Sequence, residues 1–379
     1  MQSRKARKQN ALYTALAMAA LAAASEGAKA QSGVTLYGVA DANVEYVTNM
    51  SSTTPLRPGF PGKSGSKLAL TSGGLSGSRW GLRGVEDLGD GLKAVYVMES
   101  GFNLDDGTLS QGGRLFGRQA YVGLQSDSIG RFTFGRQYTA IFDAFADFSP
   151  TRYGSQYEPI AVQLGLDFRS DNTAKYTGKF GPVTTTAHWS FGDGVAGSGE
   201  IPGQFRRDTG YGGAVNYSAG AFGAALAYGQ FNPTLTAAGG TGTFKKAGAA
   251  ASYAVGPAKI MGGYRWGKNS SPDGTTLLRD DYYWIGANYD ATAALALTLA
   301  YYYDDVKTLA GSNVKNPWQL SFIAQYRLST RTDVYLTTAY ARNAGLNLDT
   351  SAVNFANGYF LGAGKDNMLG VAMGVRHRF

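Results

Sequence analysis

The sequence predicts an all-β protein, a sixteen-stranded antiparallel β-barrel that spans a membrane. Three observations predict it. Apolar and polar side chains alternate with the period of a strand along most of the chain, short and long connections alternate strictly, and the chain opens with an export signal. No later stretch approaches eighteen consecutive apolar residues, so the sequence is not that of a helical membrane protein.

The first thirty residues have the pattern of a cleaved secretory signal, which leaves 31–379 as the mature barrel. A basic start is followed by an apolar run over 11–24 and by Ala-Lys-Ala at 28–30, the small-x-small form of a signal-peptidase site. The run is shorter than the ~20 residues of a spanning helix. Cleavage removes five basic residues and one acidic residue, so the formal charge falls from +8 to +4. Nucleic-acid binding therefore loses its main support.

The strands are recognised by alternation with a period of two. Over 34–47 the even positions are apolar or glycine, whereas the odd positions include Thr35, Asp41, Asn43 and Glu45. Over 92–99 apolar residues at even positions likewise alternate with a mixed face that carries Lys93 and Glu99. The last strand, 369–379, places apolar residues at most odd positions and ends on Phe379. A strand that lies between lipid and water is expected to have one apolar face and one face of mixed polarity.

Turn residues cut the chain into sixteen strands joined by fifteen connections. Seven connections are short: 87–91, 126–130, 181–182, 218–221, 255–257, 289–292 and 328–331. Eight are long and polar: 49–65, 105–112, 139–172, 193–208, 233–242, 269–277, 307–315 and 343–366. This alternation is typical of outer-membrane barrels, with tight turns at one rim and long loops at the other.

A soluble β-sandwich is the alternative, since it also alternates. Aromatic residues near predicted strand ends favour the membrane barrel, because girdles of Tyr and Phe are expected at both membrane interfaces. They are Tyr96, Tyr211, Tyr217, Tyr228, Tyr289, Tyr301, Tyr303 and Phe379.

Five stretches resemble the Gram-negative general porins, in particular the β-proteobacterial type. They are VTLYGVAD at 34–41, GSRWGLRGVEDLG at 77–89, GRQAYVGL at 117–124, FGRQY at 134–138 and VRHRF at 375–379. The resemblance implies an outer-membrane homotrimer through which small hydrophilic solutes and ions diffuse passively. It also implies that the third external loop, about 139–172, folds inward and narrows the pore. A bare loop of that length is uncommon and usually functional.

The predicted pore constriction has a basic and an acidic side. The resemblance carries the family's arginine ladder onto Arg79, Arg118 and Arg169. Arg83 is added because it shares a strand face with Arg79, and Arg136 is a further candidate. The acidic candidates come from the third loop: Asp143, Asp147, Glu158 and Asp167. Two alternatives stay open: the arginines could pair with carboxylates as wall structure, and the acids could hold the loop to the wall.

The ion preference is predicted from a departure from the family pattern. The family usually has an acidic residue beside the loop proline, but Pro150 is followed here by Thr151 and Arg152. A weak anion preference is therefore expected.

Other functions have little support in the sequence. A substrate-specific channel and a membrane-barrel hydrolase remain as alternatives, but a hydrolase needs a histidine beside a nucleophile. The two histidines, His188 and His377, lack such a motif and are expected at the membrane interface. No cofactor motif is found, and the absence of cysteine removes thiolate metal sites. The acidic pairs at 280–281 and 304–305 are expected to be solvated at the external rim.

Overall fold

The computed structural model describes residues 33–53, 61–154, 156–192, 200–311, 313–349 and 358–379. The predicted signal peptide, 1–30, lies outside the described residues. The described strands form one antiparallel sheet in which each strand pairs with its neighbours and β1 pairs with β17, so the sheet closes on itself. The strands are β1 (Gly33–Ser51), β2 (Ser64–Ser72), β3 (Arg79–Gly89), β4 (Leu92–Gly101), β5 (Gln119–Ser126), β6 (Gly130–Tyr138), β7 (Arg169–Phe180), β8 (Val183–Ser190), β9 (Gly210–Ala219), β10 (Phe222–Phe231), β11 (Thr243–Val255), β12 (Ala258–Ser270), β13 (Thr276–Asp290), β14 (Leu295–Leu309), β15 (Trp318–Arg327), β16 (Thr332–Arg342) and β17 (Asn367–Arg378).

These segments make sixteen barrel strands, because β2 and β3 are two parts of one strand. Both pair with the same edge of β1, β2 with its second half and β3 with its first. The chain leaves the sheet over 73–78, where the buried carboxylate of Asp41 accepts hydrogen bonds from the backbone N–H groups of Gly74, Leu75 and Ser76 at 2.9–3.0 Å. The predicted sixteen-stranded barrel is confirmed, and in the described part of the chain the strands begin and end close to the predicted connections. Parts of three predicted long connections, 54–60, 193–199 and 350–357, lie outside the described residues. The interruption after Ser72 was not predicted.

The barrel is apolar outside and polar inside. Val34 and Leu36 of β1 are 63% and 59% exposed, whereas Asp41, Asn43 and Glu45 on its other face are buried. Soluble proteins show the reverse arrangement, so the outer face is built to meet lipid. Among the described residues, no helix is long and apolar enough to cross a membrane.

The last residue, Phe379, extends the pairing between the first and last strands that closes the barrel. The backbone N–H of Phe379 donates to the carbonyl of Gly38 at 3.1 Å, and the N–H of Gly38 donates to the carbonyl of Phe379 at 3.0 Å. The Phe379 ring covers Gly38 so closely that a Cβ there would lie 2.3 Å from it. Residue 38 therefore has to be glycine for the ring to take this position.

The connection between β6 and β7, residues 139–168, runs through the interior and is called loop L3 here. It contains two short helices, Ala140–Phe145 and Ile160–Leu164, and a 3-10 turn, Ala146–Phe148. Smaller helical segments lie elsewhere, at Ser110–Gly113 and Leu346–Leu348.

Polar contacts hold the first arm of L3 to the wall. The Ala140 N–H donates to Nδ1 of His188 at 3.1 Å, and Lys175 forms an ion pair with Asp143. Farther along, the Trp284 Nε1–H donates to the Phe148 carbonyl at 2.8 Å. The prediction that His188 lies at the membrane interface is wrong. It occupies an inward position of β8, where it accepts a hydrogen bond from the loop.

The tip of L3 reaches the opposite wall. The Gln156 N–H donates to the Gly74 carbonyl at 3.0 Å, and the Gln156 amide and the Tyr157 hydroxyl both donate to Glu45 at 2.9 Å. On the return, Arg265 donates to the carbonyls of Val162 and Gln163. L3 therefore crosses the lumen and is fixed on both sides.

A buried carboxyl group holds the bend of L3 together. Glu158 is 3% exposed and accepts hydrogen bonds from the hydroxyls of Ser149 and Thr151. Burial raises the pKa of Glu158 to about 8. The Glu158 carboxyl group therefore stabilises the bend of L3 through hydrogen bonds within the loop and does not face the pore.

The buried carboxyl group makes the stability of the bend depend on pH. In a released loop Glu158 has an ordinary pKa of ~4.3, so between pH ~4.3 and ~8 the folded loop binds more protons than the released one. Stability therefore decreases as pH rises through this window and is constant below and above it. We expect the free energy of unfolding in urea to fall by on the order of a few kcal/mol from pH 5 to pH 9 through this group.

Two variants identify the group responsible. In Glu158→Gln the decrease in stability between pH 5 and pH 9 should be smaller than in the wild type, whereas Asp147→Asn, which removes an exposed acid of the same loop, should retain the full decrease. An unchanged slope in Glu158→Gln would show that another group is responsible.

The two faces of the wall should respond differently to the same charge. Leu226 lies in the middle of β10 on the lipid face and is 64% exposed, while Thr184 of β8 points inward at the height of Ala225. We expect Leu226→Arg to lower the free energy of unfolding in a bilayer by ~2 to 4 kcal/mol. Thr184→Arg, whose guanidinium reaches water in the lumen, should cost less than ~1 kcal/mol. Equal losses would contradict the assignment of the two faces.

Candidate pore constriction

Three arginines meet around one tyrosine where L3 approaches the wall of β3 to β7. Arg118 donates to the Tyr138 hydroxyl at 3.1 Å, and Arg169 does so at 3.4 Å. The guanidinium of Arg169 also lies over the rings of Tyr138 and Phe168, at 5.1 and 4.7 Å from their centroids. Arg79 lines the same space from the first residue of β3. These residues, Arg79, Arg118 and Arg169, are called the arginine cluster here.

The arginine cluster carries more positive charge than its carboxylate partner balances. Glu99 of β4 is buried and accepts from Arg118 Nε at 2.7 Å and from the Tyr37 hydroxyl at 2.9 Å. Arg79 Nε lies 3.8 Å from the same carboxylate. Among the described residues, no other acid forms an ion pair with the cluster, so Arg79 and Arg118 share one carboxylate and Arg169 pairs with none. A net charge of about two is left on this side.

The side facing the arginine cluster is aromatic and basic. Phe142 stacks on Tyr138 with ring centroids 3.9 Å apart and also contacts Tyr153. Arg152 is exposed at the tip of L3, and both it and Tyr153 have a positive φ. This uncommon backbone conformation forms the turn that carries Arg152, which lines the same space as the arginine cluster.

Two predicted basic residues are not part of the arginine cluster. Arg83 faces inward on the same strand as Arg79, but it lies four residues nearer the short turns, 5.4 Å from the Tyr37 ring. Arg136 is paired with Asp171 at 2.5 Å and donates to the Gly117 carbonyl. Alternation could not reveal this, because a bulge between Gly135 and Gln137 breaks the period of two.

None of the four predicted acids forms an ion pair with the arginine cluster. Asp143 is paired with Lys175, and Glu158 is enclosed in the bend of L3. Asp167 lies beside Lys246, and burial raises the pKa of this carboxyl group. Asp147 is exposed, and Lys259 donates to its backbone carbonyl. Three of these acids therefore contact the loop itself or the wall, which is the alternative that the sequence left open, and their place on the acidic side of the constriction stays a prediction.

The structure adds charged residues that the sequence did not single out. On the short-turn side of L3 the space lined by the arginine cluster continues towards the turns, and this part is called the inner chamber here. Arg376 and Arg378 of β17 reach into it and pair with Asp333 at 2.9 and 3.1 Å, and Arg327 pairs with Asp290 at 3.3 Å. The even parity of Arg376 and Arg378 in the last strand indicates their inward direction.

The acidic pairs at 280–281 and 304–305 were expected to be solvated, but three of these four residues are buried. Asp280 and Asp304 are buried and point into the barrel, and Asp280 pairs with Arg265 at 2.5 Å. Asp281 is also buried and pairs with Arg279 at 3.0 Å. Among the described residues, no group of three or more possible metal ligands is found.

Known proteins resemble this chain along nearly its whole length. The sequence model of the Gram-negative porins matches residues 15–346. An outer membrane porin protein of Bordetella pertussis is 31% identical, over 97% of this chain and 99% of its own. Outer membrane porin protein 32 of Delftia acidovorans is 30% identical, over 95% of this chain and 98% of its own.

Solved structures have the same barrel. An anion-selective porin from Comamonas acidovorans superposes with a TM-score of 0.75 at 26% identity, covering 92% of this chain and 100% of its own. OmpT, an outer membrane protein of Vibrio cholerae, has a TM-score of 0.65 at 16% identity and covers 92% and 98%, a likeness of fold alone. A closed sixteen-stranded barrel, a loop crossing its lumen and a match over most of the sequence lead to one conclusion: the chain belongs to the Gram-negative porin family and resides in the outer membrane.

Proposed function

We propose that this porin passes small hydrophilic solutes and ions by passive diffusion with a weak preference for anions, and that it works as a homotrimer. The observation that carries the anion preference is the arginine cluster, in which one carboxylate pairs with two of the three guanidinium groups. Rings of like charge at the narrow part of a channel select ions of the opposite sign.

The charged residues that line the inner chamber also favour anions. Among the described residues, seven arginines and two aspartates line the chamber and the arginine cluster together. An anion that passes the cluster therefore meets a positive potential along its path. The lumen is filled with electrolyte, and charges are screened over about 8 Å at physiological ionic strength, so the preference is weak.

The arginine cluster is held in place before any anion arrives. Arg118 is fixed by Glu99 and Tyr138, and Arg169 lies between two aromatic rings. Nε of Arg169 is buried and has no hydrogen-bond partner among the described residues. Donors that are already oriented can stabilise a passing anion without a cost of reordering side chains.

Relatives support both parts of the proposal. The porin from Comamonas acidovorans, 26% identical to this chain, is described as anion-selective. The trimer has more distant support, from the Vibrio cholerae protein OmpT, one of whose structures is of a trimer form.

The fold and the family point to a channel and not to an enzyme. His188 accepts a hydrogen bond from the Ala140 backbone, and His377 lies 3.0 Å from the Thr332 hydroxyl at the short-turn rim. Among the described residues, neither histidine hydrogen-bonds to both an acid and a nucleophile, as a hydrolase would require.

The arginine cluster should determine the reversal potential. In a planar bilayer with a KCl gradient, the wild type should show a reversal potential of the sign set by chloride. Arg79→Gln and Arg169→Gln should each lower the chloride-to-potassium permeability ratio by about twofold, because each removes one charge from the narrow part. The double variant should lower it further.

The matched control is Arg83→Gln, which removes a luminal arginine outside the cluster. Its permeability ratio should stay close to that of the wild type. A reversal potential favouring potassium in the wild type, or an equal effect of all three single variants, would contradict the proposed selectivity.

A trimer of pores predicts a specific conductance record. Refolded protein inserted at low density should give current increments that close in three equal steps under high voltage, because each subunit holds its own L3. Single-step closure of every increment would show that a monomer conducts. An absence of any current from correctly folded protein would overturn the channel itself.

A further inference from the structure

A cavity of about 500 Å³ lies on the long-loop side of L3, away from the arginine cluster. It is called the outer cavity here. Its floor is the returning arm of L3, and its walls are the upper ends of β10 to β14 together with the long connections above them. Much of the wall is apolar, supplied by Phe231, Phe244, Leu278, Val306 and Leu348. A cavity of this size and lining is typical of small-molecule sites.

The cations at the floor of the outer cavity are already engaged. Arg265 is 1% exposed, and its three nitrogens donate to Asp280 and to the carbonyls of Val162 and Gln163. Lys246 and Asp167 lie together beside Gly165, where a Cβ would be 2.9 Å from the Lys246 ammonium and 2.5 Å from the Asp167 carboxylate. These contacts hold L3 to the wall and leave neither cation directed at another carboxylate.

Asp304 of the outer cavity forms no ion pair among the described residues, unlike its neighbour Asp280. It is 6% exposed, it lines the cavity, and its Oδ1 is buried with no hydrogen-bond partner among the described residues. Asp280, whose carboxylate is already paired with Arg265, lies within hydrogen-bond distance of the Asp304 carboxyl group, so the two acids share one guanidinium group. Two adjacent buried carboxyl groups disfavour ionisation of both, and a buried acceptor left without a donor is costly. The position therefore favours a ligand that brings a donor with positive charge.

We propose that the outer cavity binds amphiphilic organic cations, with the ammonium group donating to Asp304 and the apolar body lying against the walls. A metal ion does not fit this chemistry, because no group of three or more metal ligands occurs in the described part of the chain. A hydrated inorganic cation would also leave the apolar walls without a contact. The proposal goes beyond the anion preference of the pore and does not depend on it.

Three probes of one shape separate the contributions of charge and apolar contact. They are 2-phenylethylammonium, neutral 2-phenylethanol and anionic phenylacetate, titrated calorimetrically into refolded porin in detergent. We expect the ammonium to bind at least about tenfold more tightly than the alcohol, and phenylacetate to bind more weakly than the alcohol. No saturable binding of the ammonium, or equal binding of all three probes, would overturn the proposal. Because calorimetry does not require current, this result is independent of the conductance experiments.

Variants locate the site. Asp304→Asn should weaken binding of the ammonium about tenfold or more and leave binding of the alcohol unchanged. The matched control is Asp305→Asn, since Asp305 is the next residue but pairs with Lys307 and does not line the cavity. It should bind the ammonium as the wild type does. Retained tight binding in Asp304→Asn, or equal losses in the two variants, would contradict the assignment to Asp304.

A second variant guards against a failure of Asp304→Asn to fold. Val306→Trp keeps the carboxylate but fills the outer cavity, so it should lose binding of both the ammonium and the alcohol. Folding of each variant is checked by the heat-dependent electrophoretic mobility that a closed barrel shows. A folded Val306→Trp protein that still binds the ammonium tightly would place the ligand elsewhere.

Discussion

Hydrocarbon offers the backbone no hydrogen-bond partners, and the rest of this structure depends on that constraint. A sheet meets it by closing on itself, and here closure depends on β1, which pairs with β17 on one edge and with β2 and β3 on the other. Once the sheet is closed, every strand residue faces either lipid or lumen. The charged residues of the strands then collect in the lumen, where their arrangement determines what can pass.

Loop L3 has to fold in this polar interior with a small core of its own. The wall beneath it is made of small residues: alanines at 214, 225, 227, 250 and 300 belong to the same cluster as Ile141, Phe145 and Phe148 of the loop. Gly286 belongs to this surface too, since a Cβ there would lie 2.4 Å from Pro150. Inward glycines of this kind account for some of the 53 glycines of the chain. The inward alanines and glycines give the aromatic side chains of L3 a flat surface to pack on.

The sequence was sufficient to predict the barrel because lipid on one side and water on the other impose a period of two along every strand. It was less informative inside, because parity assigns a residue to a face but specifies neither its height nor its partner. Arg83 lies on the predicted face but nearer the short turns than the cluster, and Arg136 lies in a bulge that alternation cannot show. The break after Ser72 depends on Asp41, whose backbone contacts form only in the folded barrel. The outer cavity likewise brings together strands and loops that are distant in the sequence.

The anchoring of L3 and the charge of the pore are two aspects of one arrangement. Asp143 faces Lys175, Asp167 faces Lys246, and Glu158 is enclosed by hydroxyl groups of the loop itself. Each acid that fastens the loop is thereby removed from the path of the solute, whereas the arginine cluster has one carboxylate to share. The net charge of the chain is consequently a poor guide to selectivity. What decides it is which carboxylates are neutralised within the wall and the loop, because the guanidinium groups left over set the potential at the narrow part of the pore.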